Sequence, residues 1–414
     1  MNISTDFAPP FKLVSPFFII GIFVYLFSVV LLFGFDPSSM HTLDSSILSW
    51  VHLFLLGFVM MIIFGAMAQL VPVVLEVGHF AVDLYYVIYP LLLIGTILMA
   101  LGFYSYPLLL PFGGIIAFIS FGIFLFETFL TIFKVKKLNF VITSVLIANI
   151  FLLLGLIIGI VMSLGYAGVL DVDIYSLLKT HVYMVLFGYV GITIMGMSLI
   201  LLPMFWLSHN FSWIYVKTAL VFISLGIVSV SFSSFSSSVL FEYLGYMLSL
   251  VALFLYFYQI YVIYKKRVRL ENDVYFKSIF FSFSSLIICL LLGLIYLVFP
   301  SNRLLLGISW LAFAGFISYV IIGHLYKIVP FLVWFERFSP LVGKKKVPML
   351  ADMIPVKSAN IQLFSSFIGI IIITIGIFFS SNDIYKTGVS FLLIGAVFLV
   401  KDIFYMINFK GEDA

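Results

Sequence analysis

The sequence has little charge and almost no cysteine. Only 9% of its 414 residues are charged, whereas soluble domains carry about 25%. With 64% hydrophobic residues as well, the composition indicates an integral membrane protein. The single cysteine, Cys289, excludes a disulfide within the chain, a cysteine-based zinc site and a CxxCH haem attachment. The net charge of +4 comes from loops between apolar segments, so nucleic acid is not an expected partner.

Long apolar runs predict twelve transmembrane helices. A helix needs about 20 mostly apolar residues to cross the roughly 30 Å hydrocarbon core of a bilayer. No connection is long enough for a soluble domain, so we expect one all-α transmembrane domain over residues 1–414. The predicted spans are about 16–34, 47–75, 82–103, 107–133, 139–165, 175–205, 212–232, 238–263, 278–298, 304–334, 359–380 and 386–408.

The distribution of basic residues predicts the orientation in the membrane. If the N-terminus is cytoplasmic, 17 of the 21 Lys and Arg residues lie on the cytoplasmic side, three lie outside and Lys327 lies within a span. Cytoplasmic loops carry such an excess of Lys and Arg. We therefore expect a bacterial-type inner-membrane protein with both termini cytoplasmic, and with cytoplasmic loops at 265–277 and 337–357.

Three predicted helices, the second, sixth and tenth, share one pattern of glycine and proline. The copies are GFVMMIIFGAMAQLVP (57–72), GYVGITIMGMSLILLP (188–203) and GFISYVIIGHLYKIVP (315–330). The glycines lie on one helix face, where small residues let a neighbouring helix approach closely. Because the copies are four spans apart, which preserves orientation, they predict three pseudo-symmetric four-helix units. These pseudo-repeats cover about 16–133, 139–263 and 278–408.

Twelve spans in three four-helix units resemble subunit I of the haem–copper oxidases. The repeat is similar to the cbb3-type and nitric-oxide-reductase branches of that superfamily, and also to the oxidase-like NnrS proteins of denitrifying bacteria. In that family, histidines precede the first glycine of the pattern by seven or five residues. The resemblance implies haem b and copper as cofactors and a role in respiration or nitrosative-stress defence. The implied partners are respiratory-chain or oxidase components, besides the lipid bilayer.

Most ligand positions implied by the resemblance lack histidine. They hold Trp50 and His52 on the second helix, His181 and Tyr183 on the sixth, and Ile308 and Trp310 on the tenth. By resemblance, His52 matches a haem ligand and His181 a copper ligand. The seventh span has no histidine where oxidases supply two copper ligands. The resemblance therefore implies a haem-binding, oxidase-like protein without a complete oxygen-reducing centre, and terminal oxidase activity is not expected.

Three ionisable residues inside the predicted spans are further candidates. His324 and Lys327 are three residues apart and share a helix face, and Glu127 lies on the fourth span. Ionisable groups inside a membrane are costly and tend to be functional. They are candidates for a proton relay or ion site, although Lys327 could instead extend its ammonium to the cytoplasmic surface. His79 is expected at that surface.

Two other functions stay open beside the oxidase-like one. A transporter of a metal or of a proton-coupled small solute would use His324, Lys327 and Glu127. An oxidase assembly or scaffold protein would need no ligand of its own. Secondary carriers mostly have twofold repeats, so a threefold repeat favours the oxidase-like interpretation.

Overall fold

A computed structural model describes residues 9–411 and confirms the predicted all-α membrane architecture. Twelve long apolar helices of 23 to 36 residues are each long enough to cross a bilayer, and the described part of the chain contains no strand. The helices are α1 (Phe11–Gly34), α2 (Ser45–Leu75), α3 (Val82–Tyr104), α4 (Leu109–Ile132), α5 (Phe140–Tyr166), α6 (Ile174–Trp206), α7 (Ile214–Ser236), α8 (Val239–Lys265), α9 (Val274–Val298), α10 (Asn302–Arg337), α11 (Val356–Phe379) and α12 (Asn382–Ile407).

Local polar contacts determine several helix ends. Asp173 caps α6 by accepting the N–H groups of Tyr175 and Ser176 at 3.1 and 3.2 Å. Hydrogen bonds from the side chain and backbone of Ser176 hold the pKa of the Asp173 carboxyl below its ordinary value. Helix α1 begins five residues earlier than expected, because the N–H of Phe11 donates to Glu336 Oε2 at 3.2 Å.

Each of the three repeat helices contains a wider, π-helical segment at the same place in the pattern. The segments are Leu55–Met60 in α2, Tyr183–Gly191 in α6 and Leu311–Ile317 in α10. Each includes the first glycine of its repeat. Such segments are rare and are often found at functional sites. The three copies therefore share an unusual backbone feature as well as a sequence pattern.

The repeat glycines pack against the helix that precedes each repeat helix, as predicted. The contacts join Gly57 to Val24, Gly65 to Phe17, Gly188 to Phe151, Gly196 to Ser144, Gly315 to Ser285, and Gly323 to Ser278. A Cβ atom added at any of these glycines would come within 3.0 Å of its partner. Only glycine allows these helix pairs to approach so closely.

The described residues form two compact units. One contains residues 72–84 and 106–271, including α4 to α8. The other contains residues 9–71, 85–105 and 272–411, including α1, most of α2 and α3, and α9 to α12. His181 and Glu127 belong to the first unit, and His52, His324 and Lys327 to the second. The threefold division of the chain stays a prediction.

Candidate functional site

His52 lies partly buried on α2, just before the π-helical segment. Its Nδ1 lies 2.8 Å from the carbonyl oxygen of Leu48, one turn earlier. A carbonyl oxygen only accepts, so Nδ1 carries the proton and Nε2 the lone pair. The imidazole stacks on the ring of Phe103, with ring centroids 4.6 Å apart. His52 is therefore directed toward α3.

Trp50, two residues before His52, lies on another face of α2 because successive helical residues are about 100° apart. Its indole N–H donates to the carbonyl oxygen of Ser28 in α1 at 2.9 Å. Its ring centroid lies 6.1 Å from that of Trp310 in α10. Both tryptophans are buried, with 7% of each residue exposed. Trp50, rather than His52, is thus directed toward α10.

Trp310 and two phenylalanines extend this contact into an aromatic layer. The indole N–H of Trp310 donates to the carbonyl oxygen of Ile370 in α11 at 3.3 Å. Phe54 stacks on Trp50 at 5.0 Å, and its centroid lies 6.3 Å from that of Phe313 in α10. Side chains of this aromatic layer (Trp50, Phe54, Trp310 and Phe313) fill the space between α2 and α10. They lie at the height where the resemblance implied haem ligands.

His181 lies partly buried on α6 and is directed toward α5. Its Nδ1 lies 2.9 Å from the carbonyl oxygen of Gly155. The ring packs over Gly159, where an added Cβ would come 2.9 Å from the imidazole Cε1. Among residues 9–411, no group of three or more His, Cys, Asp and Glu side chains is placed to hold a metal ion. The described residues therefore give His181 no partners for a three-ligand copper site.

Lys327 and His324 share a face of α10, as predicted, and both meet residues at the start of α9. Lys327 Nζ lies 2.7 Å from Asp273 Oδ2 and 5.6 Å from the centre of the Tyr275 ring. His324 Nδ1 lies 2.7 Å from the carbonyl oxygen of Val320, so its Nε2 accepts a long, 3.4 Å hydrogen bond from Tyr275 Oη. The two residues are therefore linked through Tyr275. The sequence prediction had not identified Asp273 as the partner of Lys327.

Glu127 forms a buried pair with His79. Its Oε1 lies 2.8 Å from His79 Nδ1 and accepts from Thr131 Oγ1 at 2.7 Å and from the N–H of Phe80 at 3.0 Å. The exposed fractions of the Glu127 and His79 side chains are 0% and 3%. The expected surface position of His79 is wrong, because the segment after α2 folds against α4. Lys134 stabilises this arrangement by donating to the carbonyl oxygen of His79 at 3.0 Å.

No family model matches the sequence, and no curated protein is significantly similar to it. A haem–copper terminal oxidase, solved by cryo-EM as a dimer, is similar over 97% of this chain and 84% of its own, with a TM-score of 0.65 and 13% sequence identity. The fold is haem–copper-oxidase-like. At this identity the similarity shows the fold alone, so the chemistry depends on the residues of this chain.

The residues between α2 and α10 do not fit a haem at the place that the resemblance implies. Trp50 and Trp310 are in contact there, and both indole N–H groups already have carbonyl partners. The imidazole of His52 lies against Phe103 of α3 instead. The described residues provide no metal-binding cluster for copper either. Ligation of haem by His52 or of a metal by His181, which the resemblance implies, is untested, and the Trp50–Trp310 contact argues against a haem between α2 and α10.

Proposed function

We propose that the protein is an oxidase-like component of a bacterial-type inner membrane that serves respiration or nitrosative-stress defence without reducing oxygen itself. The fold supports the oxidase-like part of this proposal. The 6.1 Å contact between the rings of Trp50 and Trp310 is what supports the absence of oxygen reduction. An oxygen-reducing centre needs imidazole ligands that converge on haem iron and copper. Here Trp50 and Trp310 occupy two of the positions where the resemblance implies such ligands, and an indole N–H group does not bind metal.

Oxygen uptake by the purified chain tests this proposal. The protein in detergent is given ascorbate and a redox mediator, and oxygen is followed with an electrode before and after cyanide. We expect no uptake above that of the mediator alone, while an active haem–copper oxidase in the same buffer consumes oxygen. Cyanide-sensitive oxygen uptake by the isolated chain would contradict the proposal.

The partners we propose are respiratory-chain or oxidase components in the same bilayer. A protein that keeps the oxidase fold without the reaction can contribute its surface to an assembly. Crosslinking in native membranes, followed by purification of this chain, should recover such components, and a deletion strain should grow poorly under respiratory or nitrosative stress. Unchanged growth under both stresses, with no crosslinked respiratory component, would argue against the role.

Proton-coupled transport is the second candidate, and the buried Glu127–His79 pair favours it. A carboxylate and an imidazole 2.8 Å apart exchange a proton readily, and neither side chain is more than 3% exposed. The Lys327–Asp273 pair, in the other compact unit, adds a second charged contact inside or beside a span. Intramembrane ionisable groups of this kind mark ion and proton pathways in many transporters.

Proton flux into liposomes that contain a pH-sensitive dye tests the transport candidate. Flux that depends on the protein should fall at least tenfold in Glu127→Gln and in Lys327→Met. Glu242→Gln is the matched control, because Glu242 is a more exposed carboxylate paired with Lys179 at 2.7 Å. Equal flux through wild type, variants and empty vesicles would exclude transport.

A further inference from the structure

Asp402 is a buried carboxylic acid in α12 that takes no part in the function proposed above. Asp402 and Tyr326 of α10 are both fully buried, and Tyr326 Oη donates to Asp402 Oδ2 at 2.7 Å. Tyr326 lies 11 residues before Arg337, the last residue of α10. At 1.5 Å per residue, the pair is about 16 Å along the helix from that end. Asp402 itself is five residues, or about 8 Å, before Ile407, the last residue of α12. The carboxyl is therefore buried among helices near the end of α12 and is not in a loop.

The other oxygen of this carboxyl lacks a hydrogen-bond donor. Among residues 9–411, Asp402 Oδ1 has no hydrogen-bond partner, and neither has Oε1 of Gln362, a fully buried residue of α11. Gly395 of α12 meets Ser366 of α11. In the antiparallel pair, residue 402 is therefore about level with residue 359 and beside Ser358. The Gln362 amide nitrogen instead donates to Ser366 Oγ at 3.2 Å, one turn further along α11.

Among the described residues, no cation contacts Asp402 directly. Ser358 lies beside the carboxyl, and the ammonium of Lys401 reaches only Ser358 Oγ, at 3.5 Å. Lys327, next to Tyr326, is paired with Asp273 at 2.7 Å. Further ionisable residues on the helices packed against α12 are Lys12 and Tyr25 in α1, Tyr319, His324, Glu336 and Arg337 in α10, and Lys357 in α11. Among the described residues, none of these cations forms an ion pair with Asp402.

We propose that Asp402 and Tyr326 form a proton-binding site, in which the ligand is a proton held on Asp402 Oδ1. A buried carboxylate with only neutral hydroxyl donors and no paired cation is disfavoured, and such a group becomes neutral by taking a proton. The Tyr326 hydroxyl continues to donate to Oδ2 in this state. When the proton leaves to water, the hydroxyl groups of Tyr326 and Ser358 and the nearby ammonium of Lys401 stabilise the remaining carboxylate. The site needs no haem, metal or redox partner, so it is independent of the function proposed above.

Infrared spectroscopy of the full-length protein in lipid tests this site directly. A protonated carboxyl has a C=O stretching band that is separate from the carboxylate bands and shifts in D2O. At neutral pH the wild type should show this band, and Asp402→Asn should lose intensity equal to one carboxyl per chain. Glu127→Gln is the matched control, since it removes another fully buried carboxyl while the Asp402 contribution persists.

A second variant keeps the test decisive if Asp402→Asn does not fold. Tyr326→Phe removes only the donor to Oδ2, so the band should stay and move to higher frequency. Tyr319→Phe, whose hydroxyl donates to the carbonyl oxygen of Leu363, should leave the band unmoved. An unchanged band in both Asp402→Asn and Tyr326→Phe would overturn the proposal. It would also be overturned if the band appeared only after Na⁺ and K⁺ were replaced by a large organic cation, because a metal ion would then be the ligand.

Discussion

At the residue scale, tryptophan stands at two positions where the resemblance to the oxidases implies a cofactor-binding histidine. An indole fills space and donates one hydrogen bond, whereas an imidazole offers a lone pair. Trp50 and Trp310 use their N–H groups on the carbonyl oxygens of Ser28 and Ile370. The two tryptophans therefore stabilise the packing of α2 and α10 with their neighbours, but they provide no metal ligand.

Truncating Trp310 should destabilise the protein strongly. Trp310→Ala removes a buried indole and leaves a cavity, with an expected cost of about 3–5 kcal/mol. Trp310→Phe keeps most of the packing and loses one hydrogen bond, so we expect about 1–2 kcal/mol. Thermal unfolding in detergent measures the stability of both variants. Phe235→Ala is the control, because Phe235 is 70% exposed. Equal melting temperatures for Trp310→Ala and the control would show that the aromatic layer is not packed as described.

Breaking the His79–Glu127 pair should destabilise the protein more than breaking the Lys327–Asp273 pair. His79→Ala removes a partner from Glu127, which is fully buried, so we expect a loss of about 2–3 kcal/mol. Lys327→Met breaks a pair whose side chains are 14% and 26% exposed, so water can replace the ammonium. We expect about 1 kcal/mol or less for that change. A larger loss for Lys327→Met than for His79→Ala would contradict the burial difference.

At the scale of helices, the spans were predictable because each needs about 20 consecutive apolar residues, whatever its neighbours are. The contacts between side chains on different helices and loops could not be predicted in this way. Asp273 with Lys327 and His79 with Glu127 depend on which helices and loops are adjacent in three dimensions. The π-helical segments had no signal beyond the recurring glycines, and the early start of α1 depends on a contact with distant Glu336.

Replacing a repeat glycine should destabilise its helix pair. Gly65→Ala would bring a Cβ 2.7 Å from the Cβ of Phe17 in α1, which cannot move without its backbone. Such overpacking costs about 1–3 kcal/mol. In Gly122→Ala the new Cβ meets no atom within 4 Å, and alanine favours helix, so stability should stay or rise. Thermal unfolding measures both variants. Equal melting temperatures for Gly65→Ala and Gly122→Ala would contradict this expectation.

At the scale of the whole molecule, the fold and the orientation depend on different evidence. The fold is similar to that of a haem–copper terminal oxidase over 97% of the chain. The orientation depends only on the excess of Lys and Arg in alternate loops. A fold of this kind supports several functions, so the ligand positions decide the chemistry.

Thiol labelling of intact cells tests the orientation. Single cysteines introduced at 265–277 or 337–357, in a Cys289→Ser background, should resist a membrane-impermeant reagent and react after the cells are opened. A cysteine at Arg303 is the matched control and should react in intact cells. Ready labelling of either basic loop from outside would reverse the predicted orientation.

The visible spectrum of the pure protein, expressed with ample haem and followed by a pyridine haemochrome assay, is the most direct test of the central claim. If Trp50 and Trp310 close the space between α2 and α10, the wild type should contain much less than one haem per chain. A chain with stoichiometric haem that is lost in His52→Ala would contradict this claim and would support haem ligation by His52 instead.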